Sequence, residues 1–472
     1  MRSLMAAAGS AHSAAVGEEG TLFLWGSGEH GRLGTGDTTS RRNPTRVAGL
    51  HAPVRQVAAG CWHTGVVTDA GDLHMCGNGH EGQLGLGDGV GRTSLTLLDR
   101  VLFDGDAVLM VACGDEHTAV LTEGGGVFTF GKGSFGRLGH GTEDSQLAPR
   151  RVLAAGFSYE RVVMLAAGEA HTVGLSEKGH VFTWGHGEDG QLGLDDTENQ
   201  LVPQQVKPGH FGGETVVFVA AGGFHTVGVT AGGRLFTWGR GGNGQLAHGA
   251  AGNRRVPTLV WAEAFGGSAV VMAACGGFHT LVATQDGALW ACGGGLYGQL
   301  GLNDELGRSV FERVGTSQFG AARVAAVSAG FRHSAAVTED GALWTWGHAA
   351  DWRLGHGNVS RRRVPALVAA AEFGGERIGR CRALPAEHAL AFAMGTHWRL
   401  GAASGAHCSG LKEELVVMIV RLSSAWPTGS AGVNDGMVRL LGGGLQAVQV
   451  IRGLPKMAER KLKTKDGQKT HV

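Results

Sequence analysis

Trp184-Gly-His-Gly-Glu-Asp-Gly-Gln-Leu-Gly193 is one of seven copies of a phrase in which an aromatic residue or Cys precedes Gly-x-Gly-x-x-Gly-x-Leu. The copies begin at Trp25, Cys76, Phe130, Trp184, Trp238, Cys292 and Trp346, so the interval is 51 residues once and then 54 five times. Six copies keep all three glycines. A period of this size, with several strand-like runs in each copy, is the signature of a β-propeller.

The surrounding unit, Val216 to Val260, reads as four strands. Val216-Val-Phe-Val-Ala-Ala221 is a continuous apolar run, as expected of a strand buried near the centre of a wheel. Gly222-Gly223-Phe224 turns the chain, and His225 to Thr230 forms a second strand. Ala231-Gly-Gly233 closes a hairpin, where Gly supplies the positive φ that tight turns need. Arg234 to Trp238 is a third strand, and Arg255 to Val260 the outer one. Pro257 is tolerable there because an edge strand can leave N–H groups facing solvent.

Two further series share the register. His recurs at 12, 63, 117, 171, 225, 279 and 333, each followed by Thr or Ser, and Phe recurs at 103, 157, 211, 265, 319 and 373. The predicted fold is therefore all-β, a seven-bladed propeller of four-stranded blades over residues 1–394. Its repeats lie near 8–49, 58–101, 109–153, 163–207, 217–261, 271–315 and 325–369, with a degenerate half-copy at 373–394. The half-copy supplies surplus inner strands, as expected if one end of the chain completes the other's blade; which end does so stays open. Residues 395–454 are expected to be a less regular appendage, and 455–472 a disordered Lys-rich tail. Arg460, Lys461, Lys463 and Lys465 in that tail suit either a localisation signal or plain solubility.

Composition agrees with turns in register. Gly is 84 of 472 residues, against a usual level of about 7%. Lys plus Arg equals Asp plus Glu at 41 each, so no global field draws the chain to nucleic acid or membrane. The seven Cys form no CxxC pair and read as core residues of a reduced compartment. No apolar run reaches the ~18 residues of a membrane span; Leu415 to Val420 is far too short. The opening Met1-Arg-Ser-Leu-Met-Ala-Ala-Ala resembles a targeting peptide, but His12 to Val16 already matches the first repeat, so cleavage would cut a blade. A cytoplasmic or nuclear monomer is expected.

Gly168-Glu-Ala-His171-Thr172 followed by the Trp184 phrase resembles the repeat of the regulator of chromosome condensation family. That resemblance implies a seven-bladed propeller. Family members include the exchange factor for the Ran GTPase, substrate-recruiting parts of HECT ubiquitin ligases, ciliary GTPase-linked proteins and a plant UV-B photoreceptor. Fold alone does not choose among these. The chain departs from the Ran exchanger in lacking room for an inserted hairpin wedge and in lacking a basic N-terminal arm. It departs from the photoreceptor too, whose Gly-Trp-Arg-His-Thr segments are matched here by Cys61, Asp115, Glu169, Gly223, Gly277 and Phe331 in the Trp slot.

Several strings imitate catalytic motifs. Gly26-x-Gly28-x-x-Gly31 matches a dinucleotide fingerprint, but a turn and a strand follow where a helix must receive the phosphate. Gly126 to Lys132 approaches a P-loop yet continues with Gly133 where Ser or Thr must reach magnesium. His63, His117, His171, His225, His279 and His333 lie one per blade, too dispersed for zinc, and are expected to satisfy buried backbone groups. Trp25, Trp184, Trp238 and Trp346 are expected to be structural core residues of the repeat. Asp37, Asp88, Asp196 and Asp304 are expected to bond their own turns. Arg41 and Arg42, with Arg361, Arg362 and Arg363 of the adjoining last blade, form a candidate partner-contact basic patch, open to an acidic protein, phospholipid headgroups or nucleic acid. No catalytic residue, cofactor or metal is predicted. The expected function is protein interaction, with a small GTPase as partner and guanine-nucleotide exchange as the activity implied by resemblance. The alternative is a substrate-recognition or scaffold subunit of a larger complex such as a ubiquitin ligase.

Overall fold

A computed structural model describes residues 6–379, apart from 316, 317 and 321, together with 462–463 and 469–470. Every 54-residue unit folds as a four-stranded antiparallel sheet whose strands lie in sequence order. In blade 5 these are Val216–Ala221, His225–Thr230, Leu235–Gly239 and Arg254–Val260. Seven such sheets are present among the described residues. First strands of adjacent blades lie against one another around the axis, so the centre is built from one short run per blade.

Burial follows from that stacking. His225–Thr230 is buried along its whole length because a neighbouring blade covers each face of the sheet. The outer strand is only half buried. The outer strand is the edge of its sheet, as expected, and Pro257 within it is buried. It falls where the register shifts between Thr237 and Gly239, so no ladder bond is lost there, and its ring packs beside Gly193 of the preceding blade. Gly193 has φ +74, and a Cβ on it would stand 2.8 Å from the Trp238 indole nitrogen. The glycine loop of one blade is thus the seat for the tryptophan of the next.

The Phe series seals the same junctions from the other end. Phe211, in the 3-10 turn Pro208–Phe211 that leads into blade 5, meets Trp238 edge-on at 5.9 Å and Phe236 at 5.4 Å. Phe373 does the same for blade 1, lying 5.2 Å from Phe23 and 6.3 Å from Trp25. Such edge-to-face pairs add about 0.5–1.5 kcal/mol beyond the area they bury.

Ring closure, left open by the sequence, is a shared strand. Ala6–Ala8 pairs with His12–Val16 and forms only the later part of blade 1's inner strand. Its start comes from the far end of the propeller, where Ile378 bridges Gly17 and Gly379 N–H donates to Val16 O at 2.9 Å. Val54 pairs with Thr68 in the same register in blade 2, so Ile378 occupies the equivalent slot. Both ends of the propeller therefore contribute to one strand, and Ile378 is buried in the blade 1 core.

The chain divides into two units, Met1–Trp398 and Arg399–Val472. In the second, Leu462–Lys463 pairs antiparallel with Lys469–Thr470 inside the segment expected to be a disordered tail. The half-copy beyond residue 379, with His388, and the appendage at 395–454 lie outside the described residues. Among the described residues no helix is long and apolar enough to cross a membrane.

Candidate functional site

The histidine series makes a closed belt. His12 Nε2 lies 2.8 Å from Thr64 Oγ1, His63 2.9 Å from Thr118, His117 3.0 Å from Thr172, and His171 3.0 Å from Thr226. His225 lies 2.8 Å from Thr280, His279 2.8 Å from Ser334, and His333 2.8 Å from Ser13, which returns to blade 1. Each hydroxyl spends its only proton on a carbonyl of the glycine loop, as Thr226 does on Gln191 O at 2.8 Å and Ser13 on Arg353 O at 2.8 Å. The hydroxyls must therefore accept from Nε2–H, and a ring kept neutral by its burial then carries a bare Nδ1. All seven Nδ1 atoms are buried without a partner. Burial pushes His63, His171, His225 and His279 down to about 3, and holds His12, His117 and His333 well below the usual range. The expectation was a bond to backbone; the imidazole bonds the next blade's hydroxyl, and the hydroxyl reaches the backbone. A buried, neutral ring already joined to its neighbour has no access to a substrate.

Trp25, Trp184, Trp238 and Trp346 are all fully buried; Trp25 Nε1 donates to Arg353 O at 3.0 Å and Trp346 Nε1 to Gln299 O at 2.9 Å, whereas Nε1 of Trp184 and of Trp238 is buried without a partner. The P-loop imitation lies across the strand Val127–Gly131, and Lys132 pairs with Glu116 at 2.7 Å. After Gly28 comes a single 3-10 turn, Glu29–Gly31, then the strand Arg41–Arg46. The turn aspartates hold their own loops: Asp37 accepts from Thr39 N–H at 2.9 Å, Asp88 from Val90 at 3.0 Å, Asp196 from Glu198 at 3.1 Å and Asp304 from Leu306 at 3.0 Å.

The candidate basic patch is distributed over two junctions. Arg41 pairs with Asp37 at 2.9 Å, and the Arg42 guanidinium lies 5.3 Å from the Trp352 ring at the blade 7–blade 1 seam. Trp352 stands where other copies carry Gly and adopts φ +58, a left-handed conformation that bulky residues seldom occupy. Arg361 and Arg363 turn to blade 6, sharing Glu305 at 3.1 Å each. Arg362 has its Nε buried without a partner. Three of the five arginines thus carry a carboxylate, and the two groups share none.

Charged and aromatic side chains outside the belt collect at one mouth of the ring. The turns between first and second strands and the glycine loops between third and fourth strands emerge on the same side of every blade, since the strands alternate in direction. Two residues precede each belt histidine there. Blades 3 and 4 place Asp115, Glu116 and Glu169; burial, then Glu169 and Glu116, push Asp115 up to about 7, and burial raises Glu169 also. Blades 5 to 7 place Phe224, Phe278 and Phe331, with ring centroids 6.2 Å apart for the first pair and 5.2 Å for the second. Arginines lie on these rings: Arg240 is 5.1 Å from Phe224, and Arg332 is 5.5 Å from Phe331 and 4.7 Å from Tyr297. Trp62 of blade 2 carries Arg32 at 4.7 Å. Tyr297, Arg332, Phe224 and Phe278 were missed as site residues from sequence. For Phe224, Phe278 and Arg332 the signal was available: in a repeat this regular, the positions that vary just before a recurrent His are the ones the fold does not use.

An RCC1-like domain model matches residues 93–391, and a regulator of chromosome condensation (RCC1) repeat model matches residues 19–67. The chain is 34% identical to the ultraviolet-B receptor UVR8 of Arabidopsis thaliana over 79% of its own length and 83% of that protein's. It is 32% identical to the human E3 ubiquitin-protein ligase HERC2 over 80% of its length, but spans only 8% of HERC2. Among solved structures, Prp20p of Saccharomyces cerevisiae, described with its binding to Gsp1p and histones, superposes with a TM-score of 0.64. That match covers 75% of this chain and 86% of Prp20p at 23% identity, a likeness of fold.

Proposed function

The chain belongs to the RCC1-like repeat family of propellers, and from that premise we propose that it is a protein-docking module whose favoured partner is a small GTPase. Guanine-nucleotide exchange is the activity in view. Exchange needs no covalent chemistry, only preferential binding of the nucleotide-free partner, so a wheel without its own reactive groups is adequate to it. The observation that carries the docking reading is the mouth itself: carboxylates in blades 3 and 4, aromatic rings in blades 5 to 7, and cations over those rings. These aromatic rings and Arg332 are half-buried on a rigid scaffold, and aromatic and Arg side chains are the residues that dominate protein interfaces.

The likeness to HERC2 favours a second reading, a substrate-recognition or scaffold subunit of a larger complex. Release of labelled GDP from a panel of small GTPases, with and without this protein, separates the two. Acceleration of one GTPase supports exchange; an unchanged rate across the panel removes exchange and leaves the scaffold. Ultraviolet reception, the role named for the Arabidopsis relative, is not favoured. The slots that the resemblance assigns to its stacked tryptophans hold Cys61, Asp115, Glu169, Gly223, Gly277 and Phe331. A monomer in cytosol or nucleus, needing no cofactor, completes the proposal; sedimentation and a tagged chain in cells test those two points.

A further inference from the structure

Carboxylates gather in one arc of the mouth and aromatic rings in the next, with Lys132 on Glu116 and Arg240 on Phe224 as cations within them. Asp115, Glu116 and Glu169 occupy blades 3 and 4, and Glu169 Oε2 points toward Gly223 of blade 5, 3.6 Å from where a Cβ would stand. Aromatic rings follow through Phe224, Phe278 and Phe331. Arg332 comes last, in blade 7.

Arg332 is a cation without a counter-charge. It forms no ion pair among the described residues, and its Nε is buried with no acceptor. Nearby carboxylates are committed: Glu305 to Arg361 and Arg363, and Asp351 to Arg353 at 2.6 Å. Arg361 lies on the same Tyr297 ring at 5.2 Å. His348 meets Tyr297 at 4.6 Å and leaves its own Nδ1 buried without a partner. Burial and then Arg353, Arg332 and Arg361 push its pKa down to about 4, which reports a positive field in this corner. A guanidinium set against aromatic rings with no acceptor of its own can receive a carboxylate in two parallel hydrogen bonds. Leu296, exposed beside Tyr297, extends the apolar floor.

We propose that the mouth seats one extended segment of a protein partner: a carboxylate at Arg332 over Tyr297, apolar side chains along Phe331, Phe278 and Phe224, and a basic residue toward Glu169 and Asp115. The inference rests on the docking reading and names the chemistry of what is docked. A nucleic-acid backbone fits this mouth poorly, since every phosphate laid across it would meet the carboxylates of blades 3 and 4. Opposite charges at the two ends also fix the direction in which the segment lies.

The test uses the full chain and a displayed library of random peptides. Enriched sequences should carry acidic, apolar and basic portions in that order or its reverse. The best of them, made with a fluorescent label, should bind about tenfold more weakly to Arg332→Glu and to Glu169→Lys than to the unaltered protein. Should either variant fail to fold, the unaltered protein still answers, because raised salt must weaken the labelled peptide. The inference is overturned if no sequence is enriched, if the enriched peptides lack acidic residues, or if a DNA duplex displaces the peptide more effectively than unlabelled peptide does. Affinity within about twofold of the unaltered protein for Arg332→Glu would also overturn it. GDP release is a separate readout: bipolar peptides without any acceleration remove exchange and leave this inference standing.

Discussion

Lowering the pH from 7.5 to 5.5 should cost this protein most of its stability, and the histidine belt sets the size of the loss. In the fold all seven imidazoles are neutral, with His63, His171, His225 and His279 held near a pKa of about 3 by burial. In the unfolded chain a histidine titrates near ~6.5. A depressed folded pKa means that below that value the unfolded state binds more protons, so stability is full above about pH 6.5 and falls as the pH drops toward the folded value. Each such histidine forfeits a little over ~1 kcal/mol across this window as a whole, and seven forfeit on the order of 10. That equals the entire stability of a typical protein, roughly 5–15 kcal/mol. Asp115, pushed up to about 7, works in the opposite sense and offsets about one of these protons. Asp37, Asp88 and Asp304, lowered by their arginines, lose their contribution only at more acid pH. Urea unfolding followed by tryptophan fluorescence across this pH range gives the slope directly. The belt and Asp115 together should give a slope of about six protons below pH 6, to which His140, His348 and His356, pushed down to about 4 chiefly by burial, add about three more, and His225→Gln should remove about one. A slope of one proton or less would show that the belt is not buried and neutral as described.

Other perturbations follow from the same geometry. His225→Ala breaks the bond to Thr280 and should cost about 1–3 kcal/mol in chemical denaturation while leaving partner docking intact. Trp238→Ala removes the side chain that fills the junction between blades 4 and 5 and should cost about 3–5 kcal/mol by the same assay. Gly239→Ala forces a side chain at φ +101 to within 2.6 Å of Phe224 O and should cost about 1–3 kcal/mol; an unchanged melting temperature would refute the local geometry.

The fold was legible because three series share one period: the glycine phrase, the belt histidines and the junction phenylalanines. Their spacing marks strands, turns and seams at once, and the structure puts all three where neighbouring blades touch. Ring closure was not legible. Ile378 stands one period after Val324, but its partner Gly17 lies at the opposite end of the propeller's sequence, and that pairing is formed only when the ring closes. The burial of Pro257 was hidden for a similar reason: a register shift is visible only once both strands are placed. The basic patch suffered from adjacency in sequence, since Arg361 and Arg363 reach back to Glu305 in blade 6 while Arg42 reaches Trp352 in blade 7. Asp115, Phe331 and Glu169 stood in plain view as departures from a tryptophan slot. Their grouping into an acidic and an aromatic arc required knowing which turns share a face.

Leu296 and Trp261 are matched probes of the two faces, 72% and 70% exposed, the first in a glycine loop at the mouth and the second in the connection from blade 5 to blade 6 on the far side. A photo-activated crosslinker placed at each in turn, in an extract of the cells that make this protein, asks where partners sit. Docking at the mouth predicts discrete adducts from position 296 and few from 261. Adducts concentrated at 261, or equal from both, would contradict it.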